Sequence, residues 1–190
     1  LQKELGRWKQ QEKNSENNES FEFNESFKLE KVFYAYPNAV QDSLTNISIN
    51  LPKGSCVGVI GESGSGKSTI VDLALGLLKP RKGRILLDGK DISGCLNHHS
   101  WPKMVGYVPQ EIFLTDASLR CNIAFGLEPT QISDERVWQC LEDANLKGFI
   151  KSLPEGLDTM MGERGTRLSG GQRQRVGIAR ALYSDPELIV

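Results

Sequence analysis

Residues Gly61-Glu62-Ser63-Gly64-Ser65-Gly66-Lys67-Ser68-Thr69 have the types and spacing of a loop that wraps phosphate. Such a loop turns successive N–H groups inward, along a path whose backbone angles a Cβ disfavours, and its glycines supply that freedom. Lys67 would add a mobile positive charge at the β- and γ-phosphates of a nucleoside triphosphate, and Ser68 a hydroxyl for bound Mg²⁺. A helix beginning at this point would also direct the positive end of its dipole at the anion. From average residue frequencies, chance writes this pattern into a chain of this length on the order of once in a hundred tries.

The loop needs a strand before it and a helix after it. Cys56-Val57-Gly58-Val59-Ile60 reads as a buried strand, and Ser68 to Leu78 carries apolar residues on most faces before Lys79-Pro80, as an enclosed helix would. Upstream, Phe27 to Val32 and Leu44 to Ile49 alternate as half-exposed strands, punctuated by Pro37-Asn38 and Pro52-Lys53-Gly54. Arg84 to Leu87 and Met104 to Val108 are further strand candidates, with an irregular polar stretch from Gly89 to Pro102 between them. Ser133 can cap a helix that has Asp134 and Glu135 in its first turn and Val137, Cys140, Leu141 and Ala144 along one face. Gly170 to Tyr183 reads as another helix, closed by Ser184-Asp185-Pro186, and Leu188-Ile189-Val190 as the opening of a buried strand.

A chain of 190 residues suits one domain of ordinary size, and a net charge of −1 carries no nucleic-acid footprint. Cys56, Cys95, Cys121 and Cys140 lack the paired spacing of a zinc or redox site, and His98-His99 has no ligand cluster around it. Trp8, Trp101 and Trp138 are expected to pack. The segment 1–26, rich in Gln, Glu, Asn, Ser and Lys, reads as a polar linker.

A second motif narrows the class. Leu168-Ser169-Gly170-Gly171-Gln172-Arg173-Gln174-Arg175 sets a hydroxyl and two glycines at a helix start, which makes another anion cradle. With it the chain resembles the ATP-binding-cassette family of transport ATPases. The resemblance implies an α/β fold: a P-loop NTPase cassette core, an N-terminal antiparallel β subdomain and an inserted α-helical subdomain at about 112–170, within a partial ATP-binding domain at 27–190. It implies ATP and Mg²⁺ as cofactors. It also implies a head-to-tail pairing, as a homodimer or with a second cassette domain, in which Leu168, Ser169, Gly170, Gly171 and Gln172 of one copy close over the γ-phosphate held by Lys67 of the other.

Other positions match the family one at a time. Tyr36 lies where these ATPases place an aromatic that stacks on adenine; a Tyr that packs locally is the alternative. Gln110, in Tyr107-Val108-Pro109-Gln110, matches the glutamine that approaches Mg²⁺ and the attacking water. Gly162-Glu163-Arg164-Gly165 resembles the loop with which exporters touch their transmembrane domain, with a solvated charge pair as the rival reading. Together with the polar lead-in and the string Ile112 to Gly126, it suggests an exporter whose membrane helices precede the cassette, working at the cytoplasmic face of a membrane. A soluble cassette ATPase, an importer subunit and a simple nucleotide-binding module are the alternatives; the short interval between the two motifs disfavours the first, and the second cradle the last.

The resemblance also implies that the strand begun at Leu188 would continue into an Asp that holds Mg²⁺ and a Glu that activates water, so the C-terminal part of the core is missing. Tested by themselves, these 190 residues are expected to bind nucleotide weakly and hydrolyse it slowly. Turnover at an ordinary enzyme rate, abolished by Lys67→Ala, would contradict this. Sequencing upstream of Leu1 is expected to find five or six apolar stretches of about 20 residues.

Overall fold

The computed structural model describes residues 21–94, 100–162 and 168–190. Their contacts form two compact units, one ending at Lys103 and one beginning at Met104.

The first unit is built on an antiparallel sheet of four strands, β1 (Ser26–Tyr34), β2 (Leu44–Pro52), β3 (Lys82–Leu87) and β4 (Lys90–Asp91), in the order β2-β1-β3-β4. Strand β1 buries Phe27 and Leu29, then Val32 and Tyr34, which a strict two-residue period cannot do. A bulge resolves the mismatch: Lys31 sits at φ 49°, and the register of β1 shifts there against both neighbours. Gly83 faces the bulge at φ 87°, where a Cβ would run into the carbonyl oxygens of Glu30 and Lys31, so only glycine fits.

Helix α1 (Lys67–Ala74) follows the phosphate-loop sequence and buries Thr69 and Leu73. It is shorter than its apolar run. Gly76, at φ 76°, donates to Leu73 O at 3.1 Å while Leu77 donates to Asp72 O at 2.9 Å, a left-handed cap that spends the last carbonyls and turns the chain away before Leu78. Another terminal carbonyl, Ala74 O, accepts from the Trp101 indole at 3.0 Å. Trp101 is buried in the short helix α2 (Ser100–Met104) and stacks on Phe27 at 5.3 Å, so one side chain joins the sheet to the end of α1.

The second unit contains β5 (Val105–Gly106), helices α3 (Leu119–Ile123), α4 (Asp134–Asp143), α5 (Lys147–Lys151) and α6 (Gly170–Tyr183), and β6 (Leu188–Ile189). Strands β5 and β6 pair in parallel, Val105 with Leu188 and Gly106 with Ile189. Gly106 lies so close to Ala181 O that a Cβ would stand 2.8 Å away. Ser133 caps α4 as its sequence suggests, with Oγ accepting from Arg136 N–H at 3.3 Å. Val137, Cys140 and Leu141 of α4 pack with Leu114, Leu119, Ile123, Ile150, Met161, Val176 and Ala179. Arg136 donates to the α6 carbonyls of Leu182 and Tyr183 at 2.7 and 3.3 Å, closing the C-terminal end of that helix with a cation.

Two strand expectations fall short: β6 buries Leu188 but leaves Ile189 53% exposed, and the run ahead of the phosphate loop forms no strand. Cys56-Val57-Gly58-Val59-Ile60 is not a buried strand: Val57, Val59 and Ile60 are 44%, 41% and 96% exposed, and neither sheet includes them. A run of strand composition becomes a strand only when flanking strands complete its ladder, and among the described residues none pairs with it.

Ahead of β1, Phe23 is buried, and Asp88, in the β3–β4 turn, accepts from the N–H groups of Asn24, Glu25 and Ser26 at 2.6, 2.8 and 2.8 Å. Burial pushes the Asp88 carboxyl up, but the three N–H donors and nearby Lys53 outweigh it and hold its pKa below the usual carboxylate value. A depressed folded pKa means stability that is present above the unfolded value, about 3.9, and is lost as pH falls through the still lower folded value. Asp88→Asn, which keeps a residue tolerant of φ 48°, is expected to cost about 1 kcal/mol in thermal melts above pH 5 and to flatten their acid dependence. Amide exchange at residues 24–26 should accelerate in the same variant.

Candidate functional site

The phosphate-loop sequence curls as its glycines allow. Gly64 and Gly66 take φ of 80° and 87°, and Gly66 is the N-cap of α1, with no side-chain cap in front of the helix. The first helical bond runs from Ile70 N–H to Gly66 O at 3.0 Å, so the N–H groups of Lys67, Ser68 and Thr69 precede the helical ladder. Those donors, with the helix dipole behind them, form an anion site. The Lys67 ammonium folds back over the loop and donates to Gly61 O at 2.9 Å and Glu62 O at 2.6 Å. A triphosphate would offer that ammonium stronger acceptors than two peptide carbonyls.

Two contacts seat the loop on the first unit. A Cβ at Gly66 would come within 2.6 Å of Leu44 Cδ2 and 2.9 Å of Ser43 O, so the start of β2 lies directly beneath it. Tyr36 Oη shares a hydrogen bond of 3.2 Å with Oγ1 of buried Thr69 in the first turn of α1. The Tyr36 ring meets Tyr34 edge-on at 5.1 Å and is 42% exposed, which leaves part of its aromatic surface open beside the loop. Thr69 as the partner of Tyr36 escapes sequence reading, because no spacing rule joins the two positions. Ser68 is exposed, and its hydroxyl is the hard oxygen ligand that Mg²⁺ would take at this loop.

The second cradle heads α6. Ser169 Oγ accepts from Gln172 N–H at 3.2 Å, and Gln172 Oε1 accepts from Ser169 N–H at 2.8 Å, a reciprocal cap that fixes both side chains. The Ser169 hydroxyl proton remains available to donate. Gly170 and Gly171 are exposed with open space where a Cβ would be, while Leu168 is buried and anchors the approach. Gln110 is exposed beyond β5, on a segment continued by the bond from Val108 N–H to Val190 O at 2.8 Å. Tyr36 and Gly61 to Thr69 thus share the first unit, and Gln110 and Leu168 to Gln172 belong to the second. Glu163, Arg164 and Gly165, like His98, His99, Cys95 and Trp8, lie outside the described residues.

A glycine-rich curl, a lysine at the first helical position and a free hydroxyl beside it define a P-loop nucleotide-binding protein. The chain belongs to the ABC transporter family, which it matches over residues 44–190. It is 43% identical over 165 residues to the cyclolysin secretion/processing ATP-binding protein CyaB of Bordetella pertussis, covering 87% of this chain and 23% of that protein. It is 39% identical over 170 residues to the mitochondrial ATP-binding cassette sub-family B member 10 of Mus musculus, covering 88% and 24%. A bacterial Atm1-family ABC exporter with ATP bound superposes with a TM-score of 0.81 at 36% identity, over 92% of this chain and 30% of that one. The chain therefore spans about a quarter of the length of these curated relatives. The antiparallel β subdomain and the mixed α/β architecture agree with the fold expected from the motifs.

The two loop glycines separate strain from crowding. Gly64→Ala meets open space at φ 80° and is expected to cost only the left-handed backbone penalty, about 1–2 kcal/mol. Gly66→Ala adds the collision with Ser43 O and Leu44 and should melt lower still. It is also expected to weaken ATP binding more than tenfold, a loss of at least about 1.4 kcal/mol by equilibrium titration.

Proposed function

We propose that this chain is the ATP-binding and ATP-hydrolysing part of an exporter, powering transport across a membrane by ATP-driven closure of two cassettes. The observation that carries this reading is the pair of glycine-bearing helix starts, one with Lys67 and one with Ser169, which is more phosphate-binding surface than one nucleotide needs from one copy. The names of the relatives, a secretion ATP-binding protein and an exporter with ATP bound, favour this reading over a soluble ATPase. No helix among the described residues is long and apolar enough to cross a membrane. On the proposed reading, a transmembrane domain supplies the pathway and the cassette drives it from the cytoplasmic face.

In this mechanism the N–H groups of the loop and the first turn of α1 hold the β- and γ-phosphates, with Lys67 released from its carbonyls to the γ-phosphate. Tyr36 covers the base. Ser68 would hold Mg²⁺, which would neutralise charge that builds on the phosphates during transfer, and Gln110 is proposed to act on the attacking water. From the opposite copy, Ser169 and the N–H groups of Gly170 and Gly171 cap the same γ-phosphate, so the complete site forms only in the closed pair. Closure excludes water, and hydrolysis reopens the pair by removing the group that both halves grip.

Ser169→Arg puts bulk and a misplaced cation at this seam while leaving Lys67 untouched. ATP-dependent dimerisation, read by light scattering, is expected to disappear in that variant, with nucleotide affinity within about twofold of the parent. Lys67→Ala is expected to lose both. Equal loss of affinity and dimerisation in Ser169→Arg would contradict a cradle acting in trans.

A further inference from the structure

Beyond its N-terminal cradle, α6 carries a second polar feature. Arg180 lies roughly 17 Å along the helix from Ser169, at about 1.5 Å per residue. Its Nε donates to Asn122 O at 2.7 Å, Nη1 to Phe113 O at 2.9 Å and Nη2 to Asn122 Oδ1 at 3.3 Å, and its guanidinium carbon lies 5.0 Å from the centre of the Phe125 ring. Among the described residues no carboxylate forms an ion pair with it, and burial pushes its pKa down from the ordinary value. What the rigid fork supplies is geometry, since it holds two carbonyls and an amide at fixed separations.

The groups that it holds are organised in turn. Asn122 is fully buried; its Oδ1 accepts from Thr115 N–H at 3.0 Å, and its Nδ2 donates to the carbonyls of Thr115, Ala117 and Ser118 at 3.1, 3.3 and 3.1 Å. One amide therefore shapes the whole turn leading into α3. On the Arg180 face of α6, Gly177 admits Ile112: a Cβ there would stand 2.9 Å from Ile112 Cγ1 and closer still to Cδ1. Ile112 and Phe113, the residues pinned against α6, follow Gln110 by only a few bonds of backbone.

The geometry points to Arg180 as a positioning residue that locks the segment after Gln110 onto the helix carrying Ser169, Gly170 and Gly171, so that the glutamine and the second cradle shift together. The inference rests on the ATPase reading and assigns to that site a residue outside both the phosphate loop and the second cradle. It separates two tasks on one helix: the N-terminal end meets phosphate, and the Gly177–Arg180 face sets where Gln110 begins.

The test is a double-mutant cycle in the intact polypeptide that carries these residues, with ATP as the probe. Arg180→Met is expected to lower kcat about tenfold with the ATP Kd changed less than about twofold, and to lower it less than about twofold in a Gln110→Ala background, where the positioned residue is already gone. Equal losses of kcat in the two backgrounds overturn the inference, as does a fall in kcat that merely follows the folded fraction in thermal melts. Should Arg180→Met not fold, Arg180→Lys, which keeps the charge without the fork, decides by the same comparison. ATP turnover that survives Lys67→Ala overturns the ATPase reading, and this inference with it, before any Arg180 variant is compared.

Discussion

Each cradle depends on the same constraint: the first turn of an α-helix has N–H groups without a partner in its own ladder. At α1 nothing in the side chains satisfies them, because the N-cap is Gly66 and its φ of 87° leads the chain in from a direction other residues avoid. At α6 the cap is Ser169, which satisfies one donor, at Gln172, and leaves the glycine N–H groups ahead of it. The two helix starts therefore differ in kind. The first is held by its surroundings, with Leu44 beneath it and Tyr36 fastened to Thr69, whereas the second holds itself through its reciprocal cap.

That difference fits the division of labour proposed for them. A loop that must wrap three phosphates needs backbone freedom, which glycine supplies, and outside support, which β2 and Tyr36 supply. On the proposed reading the second cradle meets its phosphate only on closure and needs a surface already shaped before contact, because ordering it at that moment would weaken the grip. The Ser169–Gln172 cap, the buried Leu168 and the Arg136 closure of the far end of α6 all act in that direction.

What could be read from the letters followed from local rules. The Ser133 cap and the bounds of α6 rest on interactions within a few residues of one another, which spacing encodes. The failures and omissions are the long-range ones. Cys56 to Ile60 has strand composition without strand partners; Leu75 to Leu78 has helix composition, but Gly76 turns it aside. Thr69 and Tyr36 are 33 positions apart, and Arg180 and Asn122 are 58 apart. A polar residue set between apolar neighbours, as Asn122 is between Cys121 and Ile123, was the available hint of a buried network.

The bulge in β1 has a consequence for how the first unit assembles. Before Lys31 the inward residues fall at one parity and after it at the other, so the strand has two halves that are out of phase with each other. Sliding β1 by one position along either neighbour would turn Phe27 and Leu29 outward, and Val32 and Tyr34 with them, while bringing Lys28 and Phe33 in. Slippage by two would keep the parity but carry the kink away from Gly83, the one place on β3 that tolerates it. Only a single alignment satisfies both conditions, so a glycine on the neighbouring strand acts as the key that indexes the sheet.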